Sequence, residues 1–179
     1  GGSGRGQRGP FPEMATPVIG AVNGVAITGG FELALACDYL VASEHARFAD
    51  THARVGIMPG WGLTVLLPEA IGIRRAKEMS TTGNFLDAQT ALSWGLVNHV
   101  VPHDELLPFA RKLAGDIATI DRTAVRQMLD TYDRGALRDG AGAWELEGEV
   151  AGRWQGKGLD PAALEASRQA VIARGRTQL

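Results

Sequence analysis

The sequence TGGFELALAC, residues 28–37, decides how the middle of this 179-residue chain is organised. Two adjacent glycines precede an almost wholly apolar run whose one acidic residue is Glu32. A run without a polar face predicts a helix that is buried on most sides. The helix is expected to begin close to Gly30, directly after a turn.

Short apolar segments flank this helix on both sides. Residues 18–22 follow Pro17 and end at an Asn-Gly turn, and residues 39–42 come soon after the helix. Apolar runs of this length are consistent with buried strands. The order strand, turn, helix, strand indicates a βαβ unit, which places its two strands in a parallel sheet.

The chain beyond residue 50 is predicted to be mainly helical, with a further strand over residues 96–101. Asp87 and Asp104 are expected to cap helices at their N-termini, and Gly95 is expected to end the first of these. The expected helices cover residues 63–67, 73–80, 88–94, 106–120, 123–132, 143–154 and 161–174.

The start of the buried helix carries the groups that chemistry at a carbonyl requires. The first N–H groups of a helix have no intrahelical partner and lie at the positive end of its dipole. Glycine lets a ligand approach these groups, which would stabilise a carbonyl oxygen as it becomes an oxyanion. Glu32 would move protons beside them. The alternative is a packing turn in which Glu32 only complements the helix dipole.

Composition argues against several other kinds of site. The chain is 45% hydrophobic and 21% charged, as in globular domains, and its net charge of -2 comes without a long basic run. Neither a nucleic-acid partner nor a membrane is therefore expected. Cys37 is the only cysteine, which excludes an internal disulfide and favours a cytoplasmic protein with a small core thiol. The scattered histidines predict no metal site.

Several blocks, in order, resemble the crotonase (enoyl-CoA hydratase/isomerase) family. PVIGAVNG at residues 17–24 is followed by GGFELA and CD within residues 29–38. ARF, VGIMPG and a pattern of glycines and alanines ending in GLV look like the family's later blocks; they lie at residues 46–48, 55–60 and 83–97. The resemblance runs from about residue 17 to residue 102 and weakens in the C-terminal helices.

This resemblance implies an α/β fold, a crotonase-like spiral of ββα units with a C-terminal helical trimerisation region. It also implies an acyl-CoA substrate, no cofactor besides the coenzyme A of that substrate, and a homotrimer or dimer of trimers. In the family, an N–H at the position of Gly29 grips the thioester oxygen, and a glutamate at the position of Glu32 is catalytic. Gly30, Gly60 and Trp61 match positions that contact substrate; the alternative for Trp61 is core packing.

Two departures from the family pattern bear on the reaction. The second glutamate of the hydratases aligns with His52, which is a candidate acid or base because histidine has an ordinary pKa of about 6.5. The alternative is a structural histidine, and Asp50 is a further candidate acid. The family's other oxyanion donor lies in an earlier block that nothing before Pro17 matches. The chain is therefore expected to be a fragment or to lack a first segment.

The sequence as a whole predicts an enoyl-CoA hydratase-like enzyme that uses Gly29 and Glu32, with His52 assisting. The alternatives are an enoyl-CoA isomerase with a single base and a non-catalytic acyl-CoA-binding homologue. Residues 1–16 are rich in glycine and arginine and are expected to be a loop or linker. Residues 17–102 are expected to form part of the crotonase core, and residues 103–179 a C-terminal helical region.

Overall fold

The structure, a computed structural model, describes residues 10–12, 14–136, 149, 153, 160–163 and 165–166. The chain divides into two compact units, Gly1–Leu129 and Asp130–Leu179. The described strands all lie in the first unit. The helices expected over residues 143–154 and 161–174 fall largely outside the described residues, as do most of the expected N-terminal loop residues.

Six strands and seven α-helices are described. The strands are β1 (Ile19–Val22), β2 (Val25–Ile27), β3 (Tyr39–Ser43), β4 (Arg47–Ala49), β5 (Leu86–Asp87) and β6 (His99–Val101). The helices are α1 (Gly29–Leu35), α2 (His52–Val55), α3 (Leu63–Ile71), α4 (Ile73–Thr82), α5 (Ala88–Trp94), α6 (Leu106–Ala118) and α7 (Arg122–Gly135), with a 3₁₀ turn at His103–Glu105.

The described strands form two three-stranded sheets. In the first, with the order β1-β3-β6, both pairings are parallel. In the second, with the order β2-β4-β5, β2 is parallel to β4, and β4 is antiparallel to β5. The predicted parallel pairing of the strands on either side of α1 is confirmed, since Ile19 lies opposite Tyr39.

Strand β2 and helix α2 are absent from the expectations drawn from sequence. The pattern predicts that the Asn23-Gly24 turn leads into the helix, whereas the chain first crosses to the second sheet as β2. With only three residues in β2 and four in α2, neither element is long enough to show a period in its apolar residues.

The helix boundaries follow the capping signals unevenly. Asp87 Oδ1 accepts a hydrogen bond from Thr90 N–H at 2.8 Å, and Gly95 ends α5 at a φ of 83°, as expected. The expected Asp104 cap is wrong, because Asp104 lies inside the 3₁₀ turn and α6 begins without a capping side chain. Helix α3 begins where expected and continues to Ile71.

The core of the first unit is built around Phe31 of α1 and Phe48 of β4, whose ring centroids are 5.8 Å apart. Side chains from α3, α4 and α5 belong to the same cluster. Helix α1 is less enclosed than the sequence predicts, because Leu33 on its outer face is 43% exposed. The core therefore holds the inner face of α1 against the second sheet.

Candidate active site

The candidate site lies where β2 and β4 end. These neighbouring parallel strands pair Ile27 with Ala49, so the residues that follow them leave the sheet side by side. The N–H of Thr28 donates to the carbonyl of Ala49 at 3.4 Å, and the Thr28 and Thr51 hydroxyl oxygens are 2.7 Å apart. The strand pairing thus brings the beginnings of α1 and α2 together, although they are far apart in sequence.

Thr28 has an unusual backbone conformation at the start of α1. Its φ of 50° and ψ of -122° make it the one non-glycine residue with positive φ among the described residues. Such conformations cost on the order of 1–3 kcal/mol and are concentrated at functional sites. The Thr28 carbonyl accepts hydrogen bonds from the N–H groups of Phe31 and Glu32, both at 3.0 Å. The N–H groups of Gly29 and Gly30 therefore precede the first bonds within the helix.

Glu32 is a buried carboxylate in the first turn of α1, with 4% of its surface exposed. Its Oε1 atom accepts a hydrogen bond from the backbone N–H of Trp61 at 2.6 Å. Its Oε2 atom lies 3.4 Å from Nε2 of His52. Both carboxylate oxygens are thus directed towards the segment that runs from β4 to α3.

His52 connects Glu32 to a second buried carboxylate. Its Nδ1 atom lies 2.6 Å from Oδ1 of Asp50, and its backbone N–H donates to the same oxygen at 3.1 Å. His52 and Asp50 are 4% and 3% exposed. The three side chains form a continuous row in the order Asp50, His52, Glu32.

Asp50 is ionised at neutral pH despite its burial. Burial alone would raise the pKa of this carboxyl, but hydrogen bonds from the Ser80 hydroxyl and from His52 outweigh it. The pKa of Asp50 is consequently held below its ordinary value. A stable negative charge therefore lies against Nδ1 of His52.

Gly29 and Trp61 lie close together beside this row. A Cβ atom added to Gly29 would lie 3.5 Å from Cζ3 of Trp61. The Trp61 residue is 47% exposed, so core packing does not account for its position. Gly30 and Gly60 are also exposed, and a Cβ on either would meet open space. The structure therefore brings Gly29, Glu32, His52 and Trp61 together, with Gly30 and Gly60 adjoining them in sequence.

Three contacts within the site carry little sequence signal. The pairing of His52 with Asp50 is visible only as the spacing Asp-x-His after a strand, which marks Asp50 as no more than a further candidate acid. The bond between the Trp61 N–H and Glu32 joins residues 29 positions apart and uses a backbone donor, which every residue except proline possesses. The hydrogen bond from the Ser80 hydroxyl to Asp50 likewise has no signal in the sequence.

An apolar groove elsewhere in the first unit contains none of these residues. Its volume is about 500 Å³, and its lining includes Pro17, Ile19, Ile117 and Val125. Cys37 is likewise separate from the candidate chemistry. It packs partly buried against the core, as expected, and burial followed by the charge of Asp38 raises its pKa to about 11.

The part of the chain that the structure describes contains neither a candidate metal site nor a candidate membrane span. None of its groups of three or more His, Cys, Asp or Glu side chains could hold a metal ion. Within the same part of the chain, no helix is both long enough and apolar enough to cross a membrane.

Known proteins resemble this chain over most of its length. The family model described as Enoyl-CoA hydratase/isomerase matches residues 11–157. A probable peroxisomal enoyl-CoA hydratase 1 from Arabidopsis thaliana is 43% identical over 162 residues, which are 90% of this chain and 61% of the relative. A crotonyl-CoA hydratase from Syntrophomonas wolfei is 40% identical over 139 residues, 78% of this chain and 54% of the relative.

A solved structure gives the same result. An enoyl-CoA hydratase from Mycobacterium tuberculosis is 54% identical, with a TM-score of 0.69, over 78% of this chain and 62% of that one. The present chain thus spans about three fifths or less of the length of these three relatives. The family resemblance and the α/β crotonase-like fold expected from the sequence are confirmed.

Proposed function

Because the chain belongs to the enoyl-CoA hydratase/isomerase family, we propose that it adds water to the double bond of a 2-enoyl-CoA thioester. The observation that carries this proposal is the buried Glu32 carboxylate. It is held by the Trp61 N–H on one oxygen and faces His52 with the other. A buried carboxylate beside a second titratable group is suited to proton transfer.

The chemistry follows from the electronic structure of the substrate. As water attacks the β-carbon, the electron pair of the double bond moves towards the carbonyl, and negative charge develops on the thioester oxygen. The Gly29 N–H at the start of α1 is the proposed donor to that oxygen. Loss of one such donor typically costs about 10²–10³ in rate.

Glu32 is the proposed acid and base of the reaction. Its carboxylate removes a proton from the attacking water, and a proton is delivered to the α-carbon to complete the addition. His52 lies 3.4 Å from Glu32 and takes the place of the second glutamate that the family resemblance implies. Hydration is the preferred reaction because two titratable groups adjoin each other, whereas an isomerase needs a single base.

The proposed acyl-binding surface is the segment around Trp61. Val55, Ile57 and Met58 precede it and are 62%, 52% and 82% exposed. The open Cβ positions of Gly30 and Gly60 leave room for the thioester to approach the backbone. In this proposal coenzyme A is bound as part of the substrate, and no separate cofactor takes part. The homotrimer or dimer of trimers, the domain boundaries and the cytoplasmic location stay predictions.

The test is hydration of a short 2-enoyl-CoA by the full chain, followed by loss of absorbance from the conjugated double bond. Glu32→Gln preserves size and removes the acid–base function, so we expect kcat to fall by about 10²–10⁴. The matched control is Glu69→Gln, an exposed glutamate of α3 that should retain full activity.

Three other outcomes would favour different functions. Unchanged turnover in Glu32→Gln would remove Glu32 from the mechanism. Migration of a double bond in a 3-enoyl-CoA without hydration would indicate an isomerase. Acyl-CoA binding measured by calorimetry, with no turnover by the unmodified chain, would indicate a non-catalytic binder.

A further inference from the structure

His52 is attached to Asp50 at two points. The backbone N–H and the ring Nδ1 of His52 both contact the same oxygen, Oδ1, at 3.1 Å and 2.6 Å. One contact fixes the main chain and the other fixes the ring, so the imidazole is restrained in both position and orientation. Because Asp50 is a carboxylate and can only accept, the ring must carry a proton on Nδ1.

The other ring nitrogen of His52, Nε2, faces Glu32, and this contact indicates where a second proton lies. With Nδ1 protonated, an otherwise neutral ring would present the lone pair of Nε2 to Glu32 Oε2 at 3.4 Å. An ionised Glu32 is also only an acceptor, and two facing acceptors in a buried site are unfavourable. A proton between Nε2 and Oε2 removes this conflict. It also lowers the net charge of the row from -2 to -1, which reduces the cost of burying two carboxylates.

We propose that Asp50 is a positioning residue that holds His52 in a single orientation, so that His52 and Glu32 share one proton and act as one acid–base pair. This inference rests on the proposed hydratase function and adds to it. It assigns to Asp50 a role exerted through His52, and to His52 a role exerted through Glu32.

The pair works through a balanced proton cycle. With the shared proton on Nε2, His52 is a cation and Glu32 is the carboxylate that receives a proton as one O–H bond of water breaks. The water oxygen bonds to the β-carbon, and the electron pair of the double bond moves to the thioester as an enolate. Glu32 then gives its proton to the α-carbon. The shared proton remains with the pair, which ends the cycle as it began.

Among the described residues, the acidic groups paired with His52 are Glu32 and Asp50. Helix α4, which packs against α2, contributes the Ser80 hydroxyl to Asp50. The charged side chains of α2, α3 and α4 are otherwise exposed: Arg54, Glu69, Arg74, Arg75, Lys77 and Glu78.

The variant Asp50→Asn tests the proposal in the full chain. Asparagine keeps the size and one acceptor oxygen but removes the charge that favours the protonated pair. For 2-enoyl-CoA hydration we expect kcat to fall about 10- to 100-fold with little change in KM. The high-pH limb of the kcat/KM profile should move to lower pH, because the negative charge that favours the shared proton is lost.

The controls separate positioning from general damage. Asp104→Asn changes an exposed aspartate in the 3₁₀ turn and should move neither kcat nor the pH limb. Once His52→Ala is present, adding Asp50→Asn should cause no further loss of kcat. Additive losses, or a fall in kcat without movement of the pH limb, would overturn the proposal.

A measurement without substrate distinguishes this inference from the hydratase proposal. The ring nitrogen shifts of His52, followed by NMR against pH, should show Nδ1 protonated. The second ring proton should be lost at lower pH in both Asp50→Asn and Glu32→Gln than in the unmodified chain. An unprotonated Nδ1, or titration unaltered by either substitution, would refute the shared proton even in an active hydratase. If Asp50→Asn does not fold, Glu32→Gln alone decides the result.

Discussion

Helices α1 and α5 have the same length and both follow a strand of the second sheet, yet they begin in opposite ways. Each has seven residues and starts directly after a strand of the second sheet. Helix α5 starts from Asp87 in an extended conformation, and the Asp87 side chain bonds the N–H of Thr90. Helix α1 starts from Thr28 at positive φ, and no side chain caps it.

The difference lies in where the polar side chains are directed. Asp87 satisfies a donor of its own helix, which stabilises that helix end. Thr28 instead directs its hydroxyl to Thr51, and Glu32 is directed to Trp61 and His52. The beginning of α1 thus has no capping side chain, which in the proposed function leaves its first N–H groups for the thioester oxygen. Backbone strain of this kind is concentrated at functional sites, which supports the proposed role of this turn.

Among changes at these two helix starts, the largest expected effect comes from closing the space in front of the α1 N–H groups. Gly29→Ala adds a Cβ that lies 3.5 Å from the Trp61 ring, an ordinary contact that the fold accommodates. Alanine is better than glycine within a helix, so the free energy of unfolding should rise by about 0.5–1 kcal/mol. Hydration of 2-enoyl-CoA should nevertheless fall about 10- to 100-fold, because the thioester oxygen is displaced. Steady-state kinetics and urea denaturation measure the two quantities.

The matched control is Gly115→Ala in α6, where an added Cβ meets nothing within 4 Å. This variant should show the same small gain in stability with unchanged kinetics. If Gly29→Ala behaved like Gly115→Ala, the start of α1 would be an ordinary helix end, and the contrast with α5 would lose its functional meaning.

A smaller effect is expected from relieving the strain at Thr28. Glycine adopts positive φ at little cost, so Thr28→Gly should recover about 1–3 kcal/mol of strain and lose about 1 kcal/mol with the hydroxyl contact. After the entropic cost of glycine, about 0.5–1 kcal/mol, these terms nearly cancel, and the net change in the free energy of unfolding should lie within about 1.5 kcal/mol of zero. Thr51→Val should destabilise the unmodified chain but have no effect in the Thr28→Gly background. Equal effects of Thr51→Val in both backgrounds would contradict the Thr28–Thr51 contact.

The smallest effect is expected at the start of α5. Asp87→Ala removes the cap and should lower Tm by no more than about 4 °C at pH 7, with kcat unchanged. The hydrogen bond from Thr90 N–H holds the pKa of Asp87 below its ordinary value. The stabilisation is therefore present above about pH 3.9 and is lost as the pH falls through the lower pKa of the folded state. Thermal melts from pH 7 to pH 2 should show the two proteins converging. If the difference in Tm between the two proteins stayed constant from pH 7 to pH 2, the charge of Asp87 would be excluded as the cause of the stabilisation.

The contrast also explains which features could be predicted from sequence. Helix α5 is found from Asp87 and Gly95 because both of its ends carry local signals that act within one turn. Glu32 and His52 are identified as candidates by residue type and by family resemblance. Their contact cannot be read locally, because it depends on the pairing of β2 with β4, and β2 is too short to be recognised.

Asp104 shows the opposite error, in which a local signal is present and tertiary structure overrides it. The sequence predicts a cap there, but the chain forms a 3₁₀ turn at His103–Glu105 before α6 begins. The His103 ring contacts Ser43 of β3, with Nδ1 and Oγ 3.0 Å apart. This contact between residues 60 positions apart lies at the turn, and a capping rule limited to four residues takes no account of it.

The bond between Trp61 and Glu32 has a consequence for how substrate preference can diverge among such chains. Glu32 is held by the main chain of residue 61, while the indole of the same residue lies half exposed beside Gly29. A different side chain at position 61 would reshape the surface beside Gly29 and still present the same N–H to the carboxylate. If Glu32 transfers protons as proposed, single substitutions at position 61 can change substrate selectivity while this carboxylate stays in place, which makes position 61 a starting point for redesign.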